Sequence, residues 1–191
     1  LTAGADPNAA NFDGTTPLMI LCKRDYDDIE KRVQIAKLLI AAKAGPLPLV
    51  LASRYAGNSR LVRLFLEKGA DVNRKDDFGV TALGSACCSA DATIVRMILE
   101  AGADVNERFD NGQTPLVAAC ASFPPSPTSR FADRFAEGCR SIVQMLLERG
   151  ADVNVRNFDG DTPLTIACRK DFRIVQLLLE KGADANVANT E

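Results

Sequence analysis

Histidine is absent from all 191 residues. General acid–base chemistry loses its commonest agent, and a zinc site would need a cluster of cysteines. No phosphate-binding Gly-Lys motif and no dinucleotide fingerprint occurs. Asp77-Phe78-Gly79 matches a kinase string, but no other kinase motif accompanies it. The carboxylates are scattered and fall mostly in turn positions. These lacks predict no enzyme, no metal and no cofactor. A run of about 18 apolar residues, enough to cross a bilayer, is also missing. The net charge is −2, so no overall pull toward nucleic acid exists, and the basic positions alternate with acidic ones.

What the sequence has is a period. Asp71-Val72-Asn73 returns 33 residues later as Asp104-Val105-Asn106, then 48 residues on as Asp152-Val153-Asn154, and 32 on as Asp184-Ala185-Asn186. Asp6-Pro7-Asn8 is a leading partial copy. Thr-Pro-Leu starts at Thr16, Thr114 and Thr162, with Thr81-Ala82-Leu83 and Leu47-Pro48-Leu49 as weaker copies. Self-similarity at this length marks stacked units.

The clearest unit is Asn157 to Asn186. Thr162 suits an N-cap, because its hydroxyl accepts from an orphan backbone N–H. Pro163 follows at the first helical position, where the missing N–H costs nothing. Leu164 to Cys168 predict a short helix of small residues. After a turn at Asp171, Ile174 to Leu179 predict a second helix, too apolar to be covered on one side only. Gly182 then predicts a left-handed cap. Such a unit cannot bury both faces alone and needs neighbours above and below.

In period and in these residues the chain resembles the ankyrin repeat family, over essentially its whole length. The resemblance implies an all-α repeat solenoid: a β-turn finger and two antiparallel helices per repeat. The implied organisation is one domain over 1–191. A partial repeat at 1–10 is followed by repeats at 11–44, 45–75, 76–108, 109–156 and 157–189. The family's usual histidine after Thr-Pro-Leu is replaced by Met19, Val50, Gly84, Val117 and Thr165. That predicts a less rigid array of the same fold. Both ends of the sequence fall inside a repeat, there is no initiator Met, and no signal-like segment is visible. The expectation is a piece of a longer protein.

Three irregularities interrupt the pattern. Six extra residues in repeat one should lengthen its second helix at the start, with Asp27, Asp28 and Glu30 near the positive end. Between Ala44 and Leu47 the eight residues of a finger are missing. An omitted segment is the first reading, a true deletion the second, and an unbroken backbone across 43–47 would exclude the first. Fifteen residues are inserted after Cys120. Ser122 to Ser129 are proline-rich and cannot be helical throughout. Ala132, Phe135 and Ala136 predict an amphipathic turn or two. A tolerated surface insertion is one reading, a docking or phosphorylation loop around Ser126 and Thr128 the other.

Cys22, Cys87, Cys120 and Cys168 each lie six residues after the first residue of their repeat's Thr-x-Leu start. That position should face the neighbouring layer as a small apolar filler. Layers stack roughly 8–10 Å apart, whereas a disulfide needs Cα atoms within about 7 Å. Cys88 and Cys139 are off register. Reduced thiols fit a cytoplasmic setting, or a host cytosol if the protein is a secreted effector.

The resemblance also implies where partners dock: finger tips and the inner face of the first helices. The finger residues are Phe12, Asp77, Phe78, Phe109, Asp110 and Phe158. Just before the fingers stand Lys75, Arg108 and Arg156. At the exposed ends of the first helices stand Lys23, Arg24, Arg54, Tyr55, Arg169 and Lys170. Aromatic and arginine side chains are what interfaces use as anchors. The expected function is a protein interaction module, monomeric, gripping a protein or peptide in its concave groove. The alternative is a regulatory segment of a larger enzyme or channel. For the phenylalanine rings, the alternative is packing from finger to finger.

Overall fold

The computed structural model describes residues 5–23, 28–122 and 132–186. Among these residues it holds ten α-helices and no strand. They alternate between short and long. The short helices are α1 (Pro17–Cys22), α3 (Leu49–Ser53), α5 (Ala82–Cys88), α7 (Pro115–Ala121) and α9 (Pro163–Ala167). The long ones are α2 (Ile29–Ala41), α4 (Ser59–Glu67), α6 (Ala92–Glu100), α8 (Ala132–Glu148) and α10 (Phe172–Glu180). Each short helix contacts the short helices before and after it, and each long helix the long ones. Each also packs on its own hairpin partner. The result is two layers of helices in regular succession.

Capping explains the boundaries. The hydroxyls of Thr16, Thr81, Thr114 and Thr162 accept from the backbone N–H three residues on. At Thr162 the return bond from Thr165 completes a capping box. The long helices start on Asp28, Asp91 and Asp171, whose carboxylates accept from their first-turn N–H groups. Gly69, Gly102, Gly150 and Gly182 close the long helices with positive φ. Lys43 holds that place in the first pair at φ 67°.

The core is continuous through the stack. Leu61, Phe65, Leu83, Ile94, Ile98, Leu116, Ile142, Leu146 and Leu178 are fully buried. Each contributes about 1.5–3 kcal/mol on burial, most of it offset by chain entropy. Among the described residues, interior helix pairs pack on a pair at each side and α1–α2 packs on a pair at one side. Amide exchange should therefore be faster in residues 1–30 than in 81–105. Hydrogen-exchange mass spectrometry checks this, and the opposite order contradicts it.

A buried polar knot joins the first two hairpins. Asn58 begins α4 without capping it. Its Nδ2 instead donates to the carbonyls of Cys22 (2.9 Å) and Ala52 (3.1 Å), the frayed ends of α1 and α3. Its Oδ1 accepts from the Arg32 guanidinium at 2.9 Å, which also donates to the Leu21 carbonyl at 3.1 Å. Both Asn58 and Arg32 are buried.

The irregularities resolve physically. The extra residues of repeat one do lengthen the second helix: α2 has 13 residues against nine in α4, α6 and α10. Asp28 caps it, while Arg24 and Asp27 lie outside the described residues. The later part of the insertion likewise extends α8 to 17 residues. Gly138 lets this extension touch the preceding turn, since a Cβ there would lie 2.5 Å from the Ala90 carbonyl oxygen. Ser126 and Thr128 lie outside the described residues. The backbone runs unbroken from Ala44 to Leu47, through a cis Gly45-Pro46 bond. The described chain carries no second finger between α2 and α3.

Cysteines follow the register with one correction. Cys22, Cys87 and Cys120 are buried fillers, but Cys168 is exposed, because no described helix pair stacks beyond α9 and α10. All six thiols are free. Burial pushes the Cys22 thiol up to about 12 and Cys139 up to about 11, and raises Cys87 and Cys120 as well. They stay protonated and unreactive at neutral pH. Brief alkylation of the folded chain should label Cys168 and spare Cys22, Cys87 and Cys120 until urea is added. Mass mapping showing the buried three labelled at the rate of Cys168 would contradict this packing.

Candidate partner-binding face

Four fingers are built on one plan. The residue five before the Thr accepts from the residue three further on: Asn11 from Gly14, Asp76 from Gly79, Phe109 from Gly112 and Asn157 from Gly160. Each of these glycines has positive φ, near 70–80°, which a tight turn requires and a side chain resists. In three fingers the first residue is Asn or Asp. Its side-chain oxygen takes two further N–H bonds, from Asp13 and Thr15, from Phe78 and Val80, or from Asp159 and Asp161. The fingers are rigid because their backbone donors are met locally.

Asparagines then tie successive finger bases together. Asn73 Oδ1 accepts from the Asp104 N–H at 2.9 Å, Asn106 from Asp152 at 2.8 Å, and Asn154 from Asp184 at 2.8 Å. Asn106 and Asn154 also donate to the carbonyls of Gly150 and Gly182. Asn8 does the same across the deletion, accepting from Gly45 at 2.8 Å. The Asp-x-Asn tripeptide that revealed the period is thus the connector between layers.

On this frame the candidate residues take different places. Phe12, Phe78 and Phe158 are exposed at 111%, 72% and 74%. Phe109 is 5% exposed, which corrects its assignment to the docking surface. Its ring lies over α5, and a Cβ on Gly84 would come within 2.2 Å of its Cζ. That packing runs from finger to helix; the ring lying on a neighbouring finger is Phe158, 2.5 Å from where a Cβ on Gly112 would sit. Asp77 and Asp110 are exposed, although Asp110 also rests its carboxylate on Gly79 of the previous finger.

The cations divide as well. Lys75 donates to the Arg108 carbonyl at 3.0 Å and pairs with Glu107 at 2.5 Å. Arg108 donates to the Arg156 carbonyl at 2.9 Å and to the Gly112 carbonyl at 3.2 Å. These two are staples between fingers, with part of their charge already committed. Arg54 pairs with Asp76 at 3.1 Å and Arg169 with Asp161 at 3.9 Å. Both pairs span from the end of a short helix to a finger, and both arginines remain exposed. Lys23, Arg156 and Lys170 are exposed and Tyr55 is half-buried. Arg24 lies outside the described residues.

One feature was missed at the sequence level. A groove of about 290 Å³ opens where the second finger is deleted. Met19, Leu47, Val50, Leu51 and Phe78 give it an apolar lining, with Arg54, Arg74 and Lys75 on its rim. The signal was present: the eight-residue gap itself. Among the described residues no cluster of three His, Cys, Asp or Glu side chains is placed to hold a metal ion. No helix among them is long and apolar enough to cross a membrane.

Comparison with known proteins bears on the same frame. The family model for ankyrin repeats (three copies) matches residues 1–76, 49–124 and 134–190. The chain belongs to the ankyrin repeat family. It is similar to the ankyrin repeat protein FPV230 of Fowlpox virus (strain NVSL), at 38% identity over 41% of this chain and 47% of the viral protein. It is also similar to the ankyrin repeat and SOCS box protein 3 of Bos taurus, at 34% identity over 44% of this chain and 16% of the bovine protein. The chain thus spans about half of the first relative and about a sixth of the second. Ankyrin repeats generally mediate protein–protein interaction.

Proposed function

We propose that this ankyrin array is a protein interaction module that grips a protein or peptide partner along its fingers and the exposed ends of α1, α3 and α9. The observation that carries it is the row of exposed phenyl rings at Phe12, Phe78 and Phe158, on turns closed by their own backbone and side-chain hydrogen bonds. A rigid turn that presents a bare ring costs little ordering entropy when it docks. Asp77, Asp110, Arg54, Arg156, Arg169, Lys23, Tyr55 and Lys170 form the polar surround, and Lys75 and Arg108 support it. The module acts by binding, without catalysis or cofactor, and works as a monomer. The cytoplasm, or a host cytosol, suits its six free thiols, and the viral relative supports the second setting.

The test uses a partner recovered by pull-down from the native host. Reversing Arg54 and Arg169 together to glutamate should weaken binding by roughly tenfold or more and flatten its salt dependence. Titration calorimetry at two ionic strengths reads both. An unchanged affinity and an unchanged salt slope would remove this face as the docking surface.

A further inference from the structure

We propose that the gap left by the deleted second finger is a docking notch for a β-turn of the partner protein with an aromatic side chain at its tip. This rests on the interaction-module reading and says where one contact falls and what fills it.

The chain's own repeats show what covers this position elsewhere. At two successive interfaces the next finger lays a side chain onto the glycine of the finger before. A Cβ on Gly79 would lie 2.0 Å from Asp110 Oδ1, and one on Gly112 would lie 2.5 Å from Phe158 Cδ1. The corresponding glycine of the first finger is Gly14, and nothing lies within 4 Å of a Cβ there. The position filled by Phe109 over Gly84 corresponds in the first repeat to the space above Met19, which lines the groove. Two positions that a finger covers in later repeats are therefore open here, at Gly14 and above Met19, for want of one finger.

The lining selects the occupant. Met19, Leu47, Val50 and Leu51 are only partly buried and face an opening about 290 Å³ in volume. Among the charged groups on the rim, Arg54 and Lys75 already have carboxylate partners. An apolar floor beside the exposed Phe78 ring favours an aromatic tip. A β-turn closes its own hydrogen bonds, as the four intact fingers do, so it can enter without an edge strand to pair with.

The probe is a displayed library of disulfide-constrained turn peptides, randomised at the tip, selected on the full chain. The decisive variant restores the finger by inserting a copy of residues 71–78 between Ala44 and Gly45; circular dichroism and thermal unfolding verify that it folds. Selected turns should carry an aromatic tip and perturb the NMR signals of Met19, Val50 and Leu51. They should lose about tenfold or more in affinity for the finger-restored chain, while Arg96→Glu, on the exposed side of α6, leaves them unchanged. Failure to select any turn overturns the notch. So do binders that hold both chains equally, and so does self-association of the chain that the restored finger abolishes. Binders indifferent to the restored finger but lost on reversing Arg54 and Arg169 would overturn the notch while leaving the proposed docking face standing.

Discussion

Replacing Asn58 with alanine should lower the stability of the folded chain by about 3–5 kcal/mol, the scale set by stripping a buried charge of its partner. The substitution deletes three hydrogen bonds at once, to the Cys22 and Ala52 carbonyls and from the Arg32 guanidinium. In the native fold these groups are shielded from solvent, Asn58 being 2% and Arg32 8% exposed. A domain of this kind has only about 5–15 kcal/mol in hand, so the first two hairpins should come apart early. Urea unfolding followed by far-ultraviolet circular dichroism measures the loss. Arg32→Met supplies the matched control. In the Asn58→Ala background it should cost less than in the native chain, because the charge it removes has already lost its acceptor. A loss below about 1 kcal/mol for Asn58→Ala, the ordinary effect of a surface change, would mean that the knot contributes little.

Truncating Phe109 to alanine should cost about 3–5 kcal/mol, as for other buried aromatic rings. The reciprocal change is more informative. Gly84→Ala sets a methyl group where the Phe109 ring already lies, within 2.2 Å of Cζ, so the ring must leave its seat and the finger with it. The two residues should therefore be coupled. In the other intact fingers the Phe109 position holds Asn or Asp, and the preceding repeat offers Val50 or Val117 where Gly84 stands. Phe109→Asn combined with Gly84→Val rebuilds that pattern. The double variant should be more stable than the summed single losses predict, by roughly 1–3 kcal/mol. Strict additivity in thermal or urea unfolding would show that ring and glycine do not share one space.

This pair also marks how far the sequence could be read. The period, the caps at Thr16, Thr81, Thr114 and Thr162, and the lengthened starts of α2 and α8 follow from local rules, each contained within a few residues. They were legible for that reason. The burial of Phe109 depends on a glycine 25 positions earlier in the chain, so finger phenylalanines that look alike in sequence part company once stacked. Gly84 was read as a lost hydrogen-bonding side chain; its small size is what admits the ring. Lys75 and Arg108 looked like free cations because their acceptors are backbone carbonyls one repeat away, and carbonyls leave no trace in residue identity. Asn58 passed unnoticed as a turn residue, since its partners sit at the ends of two other helices. The groove beside Met19 and Val50 was implied by the missing finger, but its apolar lining emerged only when both walls were in place.

The asparagine connectors have a mechanical consequence. They run from one layer to the next, along the direction in which the array would be stretched, so they carry load whenever a bound partner tugs on its two ends. The deleted finger takes with it the asparagine that would have linked the connector after α2 to the one after α4. Under tension the strip should give first at the finger side between α2 and α4, leaving the later layers to move as a stiff bar on a softer joint.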